Sequence, residues 1–215
     1  MTEILLIRHG ETDWNTERRL QGHWDVALNA EGLRQAQALG QALRGEALDA
    51  VFASDLSRAR QTAEAIAAAK GMPVQIEPAL RERCYGAFEG LRHGDIRQRY
   101  PDAYAAWQAR ELDARMPPGE RPGETLREFS ARVVGAVVGL AVAHQLRRIA
   151  IVSHGGVLEC ICREARGIGW DKPRDFDIRN ASINRLQWNG HALRVLEWGD
   201  IAHLRQEALD EVDRT

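Results

Sequence analysis

Ile4-Leu5-Leu6-Ile7-Arg8-His9-Gly10 places four consecutive apolar residues directly before an arginine, a histidine and a glycine. An unbroken apolar run this short fits a strand buried on both faces, the kind found in parallel sheets covered by helices on each side. The same unit recurs outward from it. Asn29 is placed to cap a helix over residues 30–43, with Leu33, Ala36, Leu39, Gly40 and Leu43 on one face. Residues 50–53 predict a second strand, 56–70 a second helix ended by Gly71, and 74–76 a third strand between Pro73 and Pro78. A more polar, aromatic and proline-bearing stretch follows from residue 86 to 123. A long helix is then predicted over 124–144, a strand over 149–152 and a helix over 156–166. Residues 182–188 and 193–198, separated by Asn189-Gly190, read as a terminal hairpin. The expectation is an α/β fold: a mainly parallel sheet flanked by helices on both faces, one domain over residues 1–215, with a small inserted cap at about 86–123.

Composition narrows the function classes. The 215 residues carry 29 Lys plus Arg against 31 Asp plus Glu, a formal charge of -2, and are 44% hydrophobic and 28% charged. This is a globular balance with no block of like charge for a nucleic-acid or membrane arm, so neither partner is expected. The richest apolar stretch, residues 133–143, falls short of a membrane span, and the N-terminal run is broken by charge too early for a signal peptide. A cytoplasmic location is the default expectation. Cys84, Cys160 and Cys162 form no disulfide or metal-ligand pattern and read as buried free thiols. No feature of the sequence dictates an oligomeric state.

Sheets of this kind place their chemistry at the carboxyl ends of the strands. There the sequence puts Arg8-His9-Gly10 after the first strand, Ser54 to Arg58 after the second, and Ser153-His154-Gly155-Gly156 after the fourth. Two histidines beside Arg8 and Arg58 would repel a divalent cation and attract an anion with planar oxygens, which a phosphate ester satisfies. A neutral imidazole is a competent nucleophile towards phosphorus, and arginines around the equatorial oxygens stabilise the transition state. Glu82, in the loop after the third strand, is the nearest proton donor for the leaving oxygen.

Residues 6–12, Leu-Ile-Arg-His-Gly-Glu-Thr, with Trp14-Asn15 behind them, resemble the signature of the histidine phosphatase superfamily, also called phosphoglycerate-mutase-like. Residues 54–63, Glu82-Arg83-Cys84-Tyr85-Gly86 and Ser153-His154-Gly155-Gly156 resemble its other blocks in the same order, over roughly residues 3 to 200. The resemblance implies an α/β core with a cap, a phosphohistidine intermediate on His9, a phosphate pocket of Arg8, Arg58 and His154, and Glu82 as proton donor. It further implies that Asn15 contacts the transferred group, that the Gln21-Gly22 turn closes over the substrate, and that hydrolysis uses no metal and no organic cofactor.

The branch of the family decides the reaction. Arg83 and Tyr85 are mutase-like, and Arg83 is assigned to substrate binding. Cys84 stands where the mutases have a histidine, His93 where they have a lysine, and their adjacent arginine pair in the cap is absent. The reading is a phosphomonoesterase acting on a small phosphorylated metabolite; a cofactor-dependent phosphoglycerate mutase is the alternative, and a non-catalytic phosphate-binding module is a third. Arg83, Arg92, Arg110, Arg115 and Arg121 make the cap basic, favouring a compact carboxylated or phosphorylated substrate. Trp14, Trp24 and Trp107 read as packing or cap residues. His23, His93, His144, His191 and His203 read as surface or core positions, His93 in the cap.

Overall fold

A computed structural model describes residues 1–204 and 209–210. The chain runs through β1 (Thr2–Arg8), α1 (Asp13–Thr16), α2 (Ala30–Ala42), β2 (Ala50–Ala53), α3 (Ser57–Lys70) and β3 (Val74–Ile76). It continues through α4 (His93–Arg99), α5 (Pro101–Gln108), α6 (Leu126–Ala143), β4 (Arg148–Ser153), α7 (Gly155–Arg166), β5 (Ile183–Trp188) and β6 (Leu193–Asp200). The six strands form one sheet in the order β3-β2-β4-β1-β5-β6. β1, β2, β3 and β4 pair in parallel, while β5 is antiparallel to β1 and β6 to β5. The expected mainly parallel sheet is present, with the opening strand β1 at its centre.

The apolar runs work as two alternating sets, because successive side chains of a strand point to opposite faces. Ile4, Leu6, Ala50, Phe52, Ile149 and Ile151 pack on one face against Phe129, Val133 and Val137 of α6 and Leu158 and Ile161 of α7. Leu5, Ile7, Val51, Ala53, Ala150 and Val152 pack on the other against Leu39 and Leu43 and against Ala59, Ala63 and Ile66 of α3. Burying each large aliphatic side chain contributes about 1.5–3 kcal/mol, so the four-residue runs anchor both layers at once.

Helix α2 keeps the expected face at Ala36, Leu39 and Gly40, with Leu43 buried just past its end, and departs from it at Leu33. Leu33 is 45% exposed, while Gly32, Gln35, Ala36, Leu39 and Gly40 are buried. The cause is a close approach of backbones: a Cβ on Gly32 would lie 2.0 Å from the Glu11 carbonyl oxygen. Residue 32 is therefore the contact position, which turns its neighbour Leu33 outward. The hairpin forms where expected, its strands joined by residues 189–192. Asn189 Oδ1 accepts the N–H groups of both His191 and Ala192, which suits a longer connection than a two-residue Asn-Gly turn.

Between β3 and α6 the chain builds a lobe whose helices α4 and α5 were not anticipated. Its apolar cluster is separate from the two beside the sheet and comprises Leu20, Tyr85, Phe88, Ile96, Trp107 and Met116. Trp107 is 7% exposed and meets Tyr85, Phe88, Tyr104 and His93 ring to ring, so Trp107 and His93 are packing residues of this lobe. Cys84, Cys160 and Cys162 are buried free thiols, and burial pushes Cys162 up to about 11. Among the described residues no helix is long and apolar enough to cross a membrane.

Candidate active site

β1 and β4 end side by side with Arg8 opposite Ser153, so the next residues, His9 and His154, emerge at one edge. Their ring centroids are 5.3 Å apart. The His9 N–H donates to the Ser153 carbonyl at 2.9 Å, which extends the strand ladder into the site. His9 Nδ1 lies 2.6 Å from the Gly10 carbonyl oxygen. A carbonyl only accepts, so Nδ1 carries the hydrogen and Nε2 keeps its lone pair. Thr62 ties this turn to α3: its hydroxyl oxygen accepts the Gly10 N–H at 3.0 Å and the hydroxyl donates to the Arg58 carbonyl at 2.8 Å.

The cations are held from behind. Arg58, in the first turn of α3, donates from Nη1 to the Trp24 carbonyl and from Nη2 to the Gly22 carbonyl, both at 2.8 Å. Arg8 donates from Nη1 to the carbonyls of Ile178 at 2.7 Å and Leu209 at 3.2 Å. Both side chains are buried. Asn15 Oδ1 accepts the Thr12 N–H and hydroxyl, each at 3.0 Å, which occupies the carbonyl end of its amide. Arg8, His9, Asn15, Gln21, Gly22, Arg58 and Glu82 line one cavity, with Arg19, Leu20 and Tyr85 completing its wall. His154 is fully buried beside His9, and neither of its ring nitrogens has a hydrogen-bond partner among the described residues.

Glu82 is 7% exposed and is fixed by one backbone N–H on each oxygen, Arg83 to Oε1 at 2.8 Å and Gly156 to Oε2 at 2.9 Å. Glycine at 156 leaves room for this carboxyl, since a Cβ there would lie 2.3 Å from Glu82 Oε1 and displace it. No group of three His, Cys, Asp or Glu side chains among the described residues is arranged to hold a metal ion.

Burial, followed by the cations Arg58 and Arg8, holds His9 well below the usual histidine value. His154 is lowered in the same way, by burial first, then Arg58 and His9. Both imidazoles are thus neutral in the folded chain at a pH where the unfolded chain, with histidines near 6.5, takes up protons. The unfolded state binds more protons below that value, so stability falls as pH falls. Thermal melts of the ligand-free protein should shift down as the pH drops below about 6.5, and His9→Ala should flatten the slope. A melting temperature that is level from pH 7 to 5 would contradict the buried-neutral assignment.

The sequence model of the Histidine phosphatase superfamily (branch 1) matches residues 4–201. The chain belongs to this superfamily. It is 37% identical over 207 residues to phosphoglycerate mutase-like protein 4 of Arabidopsis thaliana, covering 95% of this chain and 87% of that protein. Among solved structures, Bacillus stearothermophilus YhfR is 32% identical with a TM-score of 0.83, covering 94% of this chain and 99% of that one. A putative alpha-ribazole-5'-P phosphatase from Escherichia coli is 30% identical, also with a TM-score of 0.83, covering 93% and 96%.

The expected residues do not all meet in one place. Arg83 is buried, with Nε and Nη2 donating to the Glu124 carbonyl at 3.1 and 2.9 Å. It lines a neighbouring cavity with Gln108, Arg110, Phe129, Glu159 and Trp170; Tyr85 is a wall of both cavities, and Gly156, the Glu82 donor, belongs to the second. The expected basic character of the cap is reduced only in part: Arg110 lies 3.4 Å from Glu159, which it shares with Arg163, and Arg115 pairs with Glu128 at 2.5 Å. Two residues at the site escaped the sequence reading. His23 places Nε2 2.8 Å from the Glu82 carbonyl oxygen. Arg132 of α6 donates to the carbonyls of Ala79, Arg81 and Glu82 and pairs with Glu124 at 2.7 Å, fastening the loop that carries Glu82. Neither lies in a motif, and both act on backbone oxygens distant in sequence.

Proposed function

We propose that the chain is a phosphomonoesterase that passes the phosphoryl group of a small phosphorylated metabolite through His9 to water. The observation that carries this reading is the His9 tautomer, with Nδ1–H committed to the Gly10 carbonyl and Nε2 unprotonated beside two buried arginines. Nε2 attacks phosphorus as the bond to the ester oxygen breaks, and Glu82 gives that oxygen its proton. Each Glu82 oxygen already accepts one N–H and has a second lone-pair direction, one of which would carry the transferable proton. The resulting carboxylate then takes a proton from water as the water oxygen attacks phosphorus and the N–P bond breaks, releasing inorganic phosphate. Arg8 and Arg58 serve the equatorial oxygens throughout. Neither ring nitrogen of the neutral His154 has a protein partner among the described residues, and its one N–H suits a phosphoryl oxygen. Asn15 and the Gln21-Gly22 turn complete the phosphoryl end, and no metal or organic cofactor enters these steps.

The neighbouring cavity, reached past Tyr85 and Glu82, is assigned to the leaving group. Arg83 and Arg110 both line it, and the one carboxylate on its wall, Glu159, is shared between Arg110 and Arg163, so the excess positive charge favours a compact carboxylated leaving group. The packing of His93 into the aromatic cluster supports hydrolysis over the mutase alternative, since His93 stands where the mutases have a lysine. Phosphate release from a panel of phosphorylated metabolites tests the reading, in parallel with 2- and 3-phosphoglycerate interconversion stimulated by 2,3-bisphosphoglycerate. Release should exceed interconversion and survive EDTA. Faster transfer between phosphoglycerate positions than to water would establish the mutase reading instead, and binding without turnover would leave a phosphate-binding module.

A further inference from the structure

The turn at residues 21–24 supplies both carbonyls that aim the Arg58 guanidinium, those of Gly22 and Trp24. It also sets His23 Nε2 against the Glu82 carbonyl. The turn is irregular, closed by a bond from the Trp24 N–H to the Gln21 carbonyl at 3.0 Å, so its place relative to the site depends on what grips it from outside. Glu89, half-buried in the lobe, provides such a grip. Its Oε1 accepts the His23 N–H at 2.9 Å and the Tyr85 N–H at 3.0 Å. Gly22 and Tyr85 are both walls of the phosphoryl cavity, so one carboxyl oxygen spans two of its walls. The fit is close: Gly22 has φ +51°, and a Cβ there would lie 2.0 Å from Glu89 Oε1.

A half-buried carboxylate beside a site for anions is electrostatically unfavourable, and its desolvation holds Glu89 above the usual carboxylate range. What its two N–H partners use is an acceptor oxygen at one point. We propose that Glu89 is a positioning residue, whose single oxygen holds the 21–24 turn against the lobe and so fixes Arg58, and through His23 the Glu82 loop, around the phosphoryl group. The inference rests on the reading of Arg58 as a phosphoryl ligand.

Position and charge make opposite demands here. Glutamine keeps the oxygen in place and loses the charge; aspartate keeps the charge and withdraws the oxygen by a carbon–carbon bond, about 1.5 Å. Orthovanadate affinity and kcat/KM for p-nitrophenyl phosphate are to be measured for Glu89→Gln, Glu89→Asp, Arg58→Ala and Glu89→Asp combined with Arg58→Ala. Glu89→Gln should stay within about threefold of the wild type, while Glu89→Asp should lose about tenfold or more in vanadate affinity. That loss should shrink to under about twofold when Arg58 is already alanine, as for two residues acting through one contact. A Glu89→Asp variant that equals or exceeds Glu89→Gln overturns the inference, and so does an aspartate loss undiminished by Arg58→Ala. If Arg58→Ala itself binds vanadate like the wild type, the reading of the phosphoryl site falls and takes this inference with it. With Arg58→Ala impaired, an unexpected Glu89 result removes the positioning role alone.

Discussion

Replacing His9 by alanine is expected to lower kcat/KM for p-nitrophenyl phosphate by about four orders of magnitude or more, the scale seen when a covalent nucleophile is removed. The site is organised around that one nitrogen. Gly10 takes the Nδ1 hydrogen, and Thr62 fixes the turn that carries Gly10. Burial and the two arginines keep the ring neutral into the acidic range, so the nucleophile is available well below pH 6.5. In the wild type, rapid quenching during turnover should trap an acid-labile, alkali-stable phosphate on His9. An active preparation in which mass spectrometry never finds that adduct, and oxygen-isotope exchange reports a single displacement, would require water to attack phosphorus directly.

Glu82→Gln is expected to discriminate among leaving groups. Departure of an alkoxide needs a proton, and general acid catalysis is worth about a hundredfold or more. Departure of p-nitrophenolate needs little help, so its phosphorylation step should suffer much less. The ratio between substrates matters because the substitution also disturbs geometry. Both Glu82 oxygens receive backbone N–H groups, and an amide would turn a donor towards one of them. Such a disturbance would slow all substrates alike, whereas loss of the acid slows alkyl esters selectively. Equal losses at the phosphorylation step, measured by pre-steady-state kinetics, would remove the acid assignment. In the proposed mechanism the same carboxylate serves the incoming water, so dephosphorylation can become limiting in this variant and steady-state rates alone do not separate the steps.

The core was legible because its strands are buried on both faces and therefore read as unbroken apolar runs, as at Ile4 to Ile7 and Ile149 to Val152. The site followed from the same logic, since His9, Arg58 and His154 come just after strands whose ends a parallel sheet brings together. Legibility failed where an outcome depends on backbone meeting backbone. Leu33 faces out because Gly32 touches the Glu11 carbonyl, a contact with no hydropathy signature. Helices α4 and α5 were hidden because they are short and bury few residues, Ile96 and Trp107, against a small separate cluster. His23, Glu89 and Arg132 were missed for a related reason: each contacts main-chain groups up to 66 residues away, and a lone polar side chain gives no sign of that in sequence.

The parallel register that sets Arg8 opposite Ser153 also determines how the site moves. His9 and His154 are each one peptide unit beyond the two central strands, whose residues from 149 to 152 are completely buried. Amides in such strands exchange with solvent only through global unfolding, so the spacing of the two imidazoles is insulated from local breathing of the molecule. The opposite wall, built from the turn at residues 21–24 and the lobe, lies outside the sheet. Hydrogen exchange should therefore be slowest in the strands that lead to the two imidazoles and faster at the turn and the lobe.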